Sequence, residues 1–306
     1  MRASLGSLLV AAVSAALVAT MLQFLPARAV WQEVDPQMPV ARVEVLPPEC
    51  ATDGGMPTAP TTCRVTGFGK GRPTVVVWGD SHAWQQLPAM KAQAERTRTN
   101  LVAFVMGACP PARILDGSVD GPCARNSALA LKFIADKRKR KQRVKVLIGA
   151  FWGFYRDLLD RAANGWEPET QNESFLLERS RLYEAGTANA FGTLARWNVP
   201  TAALAQMPWV PDDAPACTDG DAPYACDLPR STAIHDEAAT RAWVSRQLAR
   251  IPRSGLIDTT DFLCDDDTCS ATFQGHPAYL DDLHLDPAIT GGFSGRYADF
   301  FATPVR

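Results

Sequence analysis

Histidine is scarce in this chain, with four residues among 306. Chemistry that needs an imidazole base has only His82, His235, His276 and His284 to draw on. Metal signatures are missing too. No C-x-x-C unit occurs, nor any histidine at the spacing of a tetrahedral zinc site, so neither metal nor cofactor is expected. An excess of positive charge is also lacking, since 31 Lys and Arg face 33 Asp and Glu for a net charge of -2. A nucleic-acid binder usually shows a basic face, so no nucleic-acid partner is expected. The one basic run, Lys137 to Lys141, ends a helical pattern, where cations suit the helix dipole. Its other reading is contact with an anionic polymer or lipid surface. A full phosphate loop is absent as well. Gly67-Phe68-Gly69-Lys70-Gly71 lacks the G-x-x-x-x-G-K-[ST] spacing and precedes a strand instead of following one.

What is present begins with an apolar stretch from about Leu5 to Leu25, preceded by Arg2 and ending at Pro26-Ala27-Arg28-Ala29. A cationic start, apolar middle and Ala-x-Ala ending fit a secretory signal cleaved after Ala29. The stretch also approaches the roughly 20 apolar residues that span a bilayer, so an uncleaved inner-membrane anchor is the alternative. Both readings put the body of the protein outside the cytoplasm, in the periplasm or secreted. The 8 cysteines agree with that compartment. They fall in local pairs that bracket loops: Cys50 with Cys63, Cys109 with Cys123, Cys217 with Cys226, and Cys264 with Cys269. Eight cysteines allow about 105 pairings, and local disulfides are the simplest expectation.

Residues 30–72 read as an extended lead-in, broken by Pro36, Pro39, Pro47, Pro48, Pro57 and Pro60 and pinned by a Cys50–Cys63 bridge. From residue 73 to 306 the chain alternates. Strands are expected at 74–78, 101–105, 144–149, 201–204 and 255–258. Helices are expected at 84–96, 124–141, 173–197, 234–249 and 288–301. Short apolar strands alternating with longer helices predict a doubly wound α/β sandwich around a parallel sheet. Such sheets take ligands at the carboxyl ends of their strands.

The first of these strands ends in Gly79-Asp80-Ser81-His82. A serine there stands where strand becomes helix, beside backbone N–H groups suited to a developing oxyanion. The competing reading is an ordinary serine N-cap. Far along the chain stands Tyr279-Leu280-Asp281-Asp282-Leu283-His284-Leu285. A hydroxyl needs a base to become a nucleophile, and the base needs a carboxylate to fix its tautomer. Asp281 and His284 supply both from one turn. His82 is adjacent to Ser81 and reads as a supporting residue, His235 as a surface or capping residue, and His276 has no carboxylate three residues before it.

Gly79-Asp80-Ser81-His82 early with Asp281-x-x-His284 late resembles the SGNH hydrolase superfamily. More narrowly it resembles the SGNH domains fused to, or encoded beside, membrane O-acyltransferases of the acyltransferase-3 type. Cys109-Pro110-Pro111, the Cys264–Cys269 pair and the stretch from Tyr279 to Leu285 add to the likeness, which covers about Val75 to Phe301. The resemblance implies a three-layer α/β/α fold and O-acyl ester chemistry on surface glycans. Ser81, His284 and Asp281 would be nucleophile, base and orienting acid. The Ser81 N–H, with Gly107, would hold the oxyanion, and Asp80, His82 and Trp152 would support the site. A cell-surface glycan, an acyl donor and a membrane O-acyltransferase are the implied partners. One departure stands out: Gly149-Ala150-Phe151-Trp152-Gly153 offers no asparagine after the third strand. Gly79-x-Ser81-x-Ala83 also approaches the G-x-S-x-G elbow, but that fold places its nucleophile deeper into the sheet sequence. A module that binds glycans or docks a partner without catalysis is the alternative function.

Overall fold

The computed structural model describes residues 44–51, 55–114, 121–156, 173–211, 214 and 223–304. The leader at 1–29 and the cysteine at 217 lie outside these residues.

Six strands form the central sheet: β1 (Cys63–Arg64), β2 (Thr74–Gly79), β3 (Asn100–Val105), β4 (Val144–Gly149), β5 (Thr201–Leu204) and β6 (Gly255–Ile257). Their spatial order is β1-β3-β2-β4-β5-β6. The last five are parallel, and β1 runs antiparallel to β3, with Cys63 opposite Ala103. Strands β2, β3 and β4 are buried along their whole length, as near-continuous apolar runs require when both faces of a sheet are covered.

Alternate residues of each strand feed two separate cores. Val75, Val77, Leu101, Ala103 and Leu147 meet the early helices α1 (Ser81–Trp84) and α2 (Leu87–Arg96) together with Ile289, Phe293 and Tyr297 near the C-terminus. Val76, Trp78, Val102, Phe104 and Ile148 pack against the other layer. That layer is made of α3 (Pro122–Lys139), α4 (Trp152–Arg156), α5 (Glu173–Arg196) and α7 (Glu237–Leu248), whereas the short α6 (Arg230–Ala233) that precedes α7 in the chain buries Ala233 in the first core. This is a three-layer α/β/α sandwich.

Three of the expected helices differ in their limits or divide. Between α1 and α2, Pro88 has no N–H to donate to the preceding turn, and Gln85 and Gln86 form the joint. The helix expected from residue 234 starts later, at Glu237, because its N-cap Asp236 takes a left-handed φ of 52°. The closing helix breaks into α8 (Pro287–Thr290), a 3-10 segment Gly291–Tyr297 and α9 (Ala298–Ala302), as its glycines would favour. The segment read as a lead-in also contributes to the sheet through β1. The Cys50–Cys63, Cys109–Cys123 and Cys264–Cys269 disulfides are formed as the local pairing predicts. Cys226 is disulfide-bonded as well.

Candidate active site

The chain passes from β2 to β3 on one side, then crosses to β4 on the other, so the sheet's switch point lies at the carboxyl ends of β2 and β4. Gly79 and Gly149 face each other there. A Cβ on Gly79 would overlap the Gly149 carbonyl oxygen, and one on Gly149 would come within 2.6 Å of Leu204 Cδ1. Glycine is needed here for the close approach of two strands. A left-handed backbone is not the reason, because the φ of Gly79 is not positive.

The next residue, Asp80, caps α1. Its carboxylate accepts hydrogen bonds from the His82 N–H at 2.8 Å and the Phe151 N–H at 2.9 Å, joining the turn after β2 to the turn after β4. Burial raises the Asp80 pKa, opposed by donation from Phe151, Tyr155 and His82. Asp80 is thus a buried brace, and the N-cap role considered for Ser81 falls to it. That leaves Ser81 as the first residue of the helix, at the margin of burial, with 9% of its surface exposed. Among the described residues, no hydrogen bond occupies its hydroxyl or its backbone N–H.

His82 is buried, with its ring stacked on Phe151 at 4.3 Å. Neither ring nitrogen has a hydrogen-bond partner among the described residues. Burial first, and the neighbouring His284 second, push its pKa down to about 3, so it is neutral at physiological pH.

The distal segment arrives as a tight turn. The Asp281 carboxylate accepts from the backbone N–H of Leu283 at 2.9 Å and of His284 at 2.7 Å. The same carboxylate holds the His284 Nδ1 at 2.9 and 3.0 Å. Burial works to raise the Asp281 pKa, yet the His284 hydrogen bond and charge, with the two backbone donors, hold it below the ordinary carboxylate range. With Nδ1 engaged, Nε2 is the nitrogen left to exchange a proton.

Gln85 brings the two ends of the chain together. Its side-chain oxygen accepts from the Leu285 N–H at 2.9 Å, and its carbonyl accepts from the Thr290 hydroxyl at 2.7 Å. Gln86 accepts from the Tyr297 hydroxyl at 2.9 Å. The His284 ring consequently lies 5.8 Å, centroid to centroid, from that of His82, the residue after Ser81. Among the described residues, no hydrogen bond joins Ser81 to His284.

The remaining candidates separate. Gly107 follows β3, beside the Met106 N–H that donates to the Gly79 carbonyl at 3.3 Å, and its own N–H takes no partner among the described residues. Its surroundings do not demand glycine, since a Cβ would meet Met56 only at 3.6 Å. Trp152 is not available to an oxyanion. Its indole N–H donates to the Leu204 carbonyl at 2.8 Å, and its ring packs against Phe191 and Trp243 in the core. The side chain after β4 that meets the site is Phe151, which also contacts Trp209 at 5.2 Å. His235 is near Asp236 at 3.7 Å, and His276 belongs to a two-residue ladder with Phe273 and Thr272.

Residues 49–289 match the family described as "SGNH domain (fused to AT3 domains)". The chain belongs to this SGNH domain family. No curated protein matches the SGNH chain. Among solved structures, it is similar to the periplasmic domain of a lipopolysaccharide acetyltransferase from Salmonella ser. Paratyphi A, with 10% identity and a TM-score of 0.49 over 77% of this chain and 85% of that one. It is also similar to a proposed platelet activating factor from Streptococcus pneumonia, with 10% identity and a TM-score of 0.36 over 75% and 84% of the two chains.

Sequence reasoning missed Gln85 and Phe151 as parts of this site. A signal for the first existed: two adjacent glutamines interrupt a helical run where apolar residues would fill the core. Phe151 had none, because Phe and Trp at neighbouring positions are equally good core residues.

Proposed function

We propose that this SGNH protein is a periplasmic serine O-acyl esterase or O-acetyltransferase acting on cell-surface polysaccharide, with Ser81 as nucleophile, His284 as base and Asp281 as its orienting acid. The supporting observation is the Gln85 tie. It holds the hydrogen-bonded Asp281–His284 pair next to the turn bearing Ser81, at the carboxyl rim of the sheet.

In the proposed reaction, Ser81 Oγ forms a bond to the acyl carbon while His284 Nε2 takes the hydroxyl proton. The tetrahedral oxyanion is held by the backbone N–H groups of Ser81 and Gly107, in place of the missing asparagine. Its collapse breaks the ester C–O bond, and the imidazolium returns its proton to the departing alkoxide. Water or a sugar hydroxyl then attacks the acyl-serine, giving up its proton to His284, and collapse breaks the acyl–Oγ bond while the imidazolium returns the proton to Ser81. Water makes the protein an esterase, and a sugar makes it a transferase. In the second case a membrane acyltransferase would be the source of acyl groups, as the family's fusion to AT3 domains suggests.

Ser81→Ala should lower turnover of a model acetyl ester by about 10⁴-fold or more while circular dichroism stays unchanged. Assays with and without a glycan acceptor separate transfer from hydrolysis. Unchanged turnover in the variant, or no adduct at Ser81 with a serine-reactive probe, would remove this reading. The alternative of a glycan-binding or docking module is favoured by the absence of a Ser81–His284 hydrogen bond. In unliganded sites such bonds are often long and tighten only with substrate.

A further inference from the structure

The formal charge of -2 conceals a strong separation of charge. The turns that enter the parallel strands all lie at the edge of the sheet opposite Ser81. Lys70 and Arg72 enter β2, Arg98 enters β3, Arg140, Lys141 and Arg143 enter β4, and Arg250 and Arg253 enter β6. Every one of these cations is exposed, and residues 66–73, 97–99, 140–143, 197–200 and 249–254 contain no carboxylate. The acids bordering this edge are Glu95, Asp136, which pairs with Lys132 at 2.8 Å, and Asp299. The site's edge carries acids as well as cations: Asp258 pairs with Arg241 and Asp261 with Arg296, and Asp265, Asp266, Asp267, Asp281, Asp282 and Asp286 lie there too.

The basic edge is crowded. A cavity of 410 Å³ is lined by Arg138, Lys141, Arg143 and Arg253 with Trp197, and no carboxylate lines it. The Arg138 guanidinium lies over the Trp197 ring at 5.4 Å. The Lys137 pKa is held below the ordinary lysine range by burial and then by Arg140 and Arg64, and Lys145 is brought to about 8 by burial and then by Arg253. Like charges gathered with few counter-ions, here chiefly Asp136 beside Lys139 and Arg140, oppose folding. Their neutralisation by a ligand would relieve that repulsion.

We propose that this edge of the sheet is a docking surface for the anionic phospholipid headgroups of a bilayer. Cations at the entries of four strands, β3, β2, β4 and β6, span a width of about 20 Å. That breadth matches a plane of charge better than a single polymer strand. Trp197 supplies the amphipathic ring that suits a headgroup layer. The apolar stretch from Leu5 to Leu25, read as an anchor, would keep such a plane at hand. Docked this way, the edge bearing Ser81 points away from the bilayer toward surface glycans. That orientation rests on the proposed ester chemistry, whereas the binding does not.

The test uses the full chain and sedimentation with vesicles of 30% phosphatidylglycerol in phosphatidylcholine, against phosphatidylcholine alone. Binding should require the anionic lipid and fade between 0.05 and 0.5 M NaCl. Arg140→Glu/Lys141→Glu should weaken it by at least about thirtyfold. Lys91→Glu/Arg181→Glu, an equal change of charge on α2 and α5, should leave it within about twofold. Should the apolar leader carry the chain into both kinds of vesicle, hydrogen exchange decides, with amides 137–143 protected only by anionic vesicles. Equal binding by the two double variants, or equal protection on neutral lipid, would overturn the proposal. Capture by a soluble anionic polysaccharide without vesicle binding would overturn it too, as would loss of vesicle binding in the control variant alone. Ester turnover of Arg140→Glu/Lys141→Glu in solution should match the parent, so failure here is distinguishable from failure of the ester chemistry.

Discussion

At the scale of single residues, His82 is the most exacting position. Its ring is buried without a hydrogen-bond partner, and its pKa of about 3 lies far below the ordinary 6.5. Between those two values the unfolded chain binds a proton that the folded chain refuses. Stability from this group is therefore complete above pH 6.5 and declines as the pH falls toward 3, with a slope of about 1.4 kcal/mol per unit. Asp281, held below its ordinary 3.8, contributes stability above that value and loses it on further acidification. Asp80 acts in the opposite sense, since burial raises its pKa and makes the folded state the better proton acceptor. Comparison of His82→Phe with the parent isolates the histidine. Urea midpoints from pH 7 to 4 should fall less steeply for the variant, and parallel curves would contradict the assignment.

At the scale of elements, the strands could be read directly from the sequence because burial on both faces leaves a simple apolar signature. The runs at Thr74, Asn100, Val144 and Thr201 each became a strand within a residue or two of the expected limits. β1 escaped notice because two residues, Cys63 and Arg64, carry no period; only the partner strand defines them. Helix ends were less legible, since Pro88, Asp236 and the glycines after Thr290 break helices through local geometry that apolar spacing ignores. The site divides the same way. Asp281-x-x-His284 announces itself because a carboxylate three residues before an imidazole can close one turn. Trp152 and Phe151 could not be told apart until packing assigned one to the core and the other to His82. The Gly79–Gly149 contact makes a firm prediction at this scale. Gly79→Ala drives a Cβ into backbone, which cannot yield as a side chain could. It should cost several kcal/mol, on the order of 3–5, measured as the loss of urea midpoint, with Gly107→Ala as the tolerated control.

Over the whole molecule, the disulfides staple loops onto a sheet that already has a core on each face. Cys50–Cys63 closes a separation of 13 residues and fastens the segment around Cys50 to β1, which pairs with β3. Replacing both cysteines with serine should destabilise the fold by about 3 kcal/mol through the larger entropy of the unfolded chain. Thermal unfolding under non-reducing conditions would record it, and an unchanged midpoint would mean that β1 is held by its ladder alone.

The Gln85 tie has a consequence in time. The residues it joins are 200 positions apart, one near the beginning of the sheet and the other close to the end of the chain. Contacts of such span form late, after the loop they close has been gathered. A polypeptide still emerging from the ribosome or the export channel thus presents its serine without any imidazole from the tail. On the proposed ester chemistry, reactivity would be switched on by completion of the chain, and a product truncated before Asp281 would be chemically silent even with all six strands of its sheet in place.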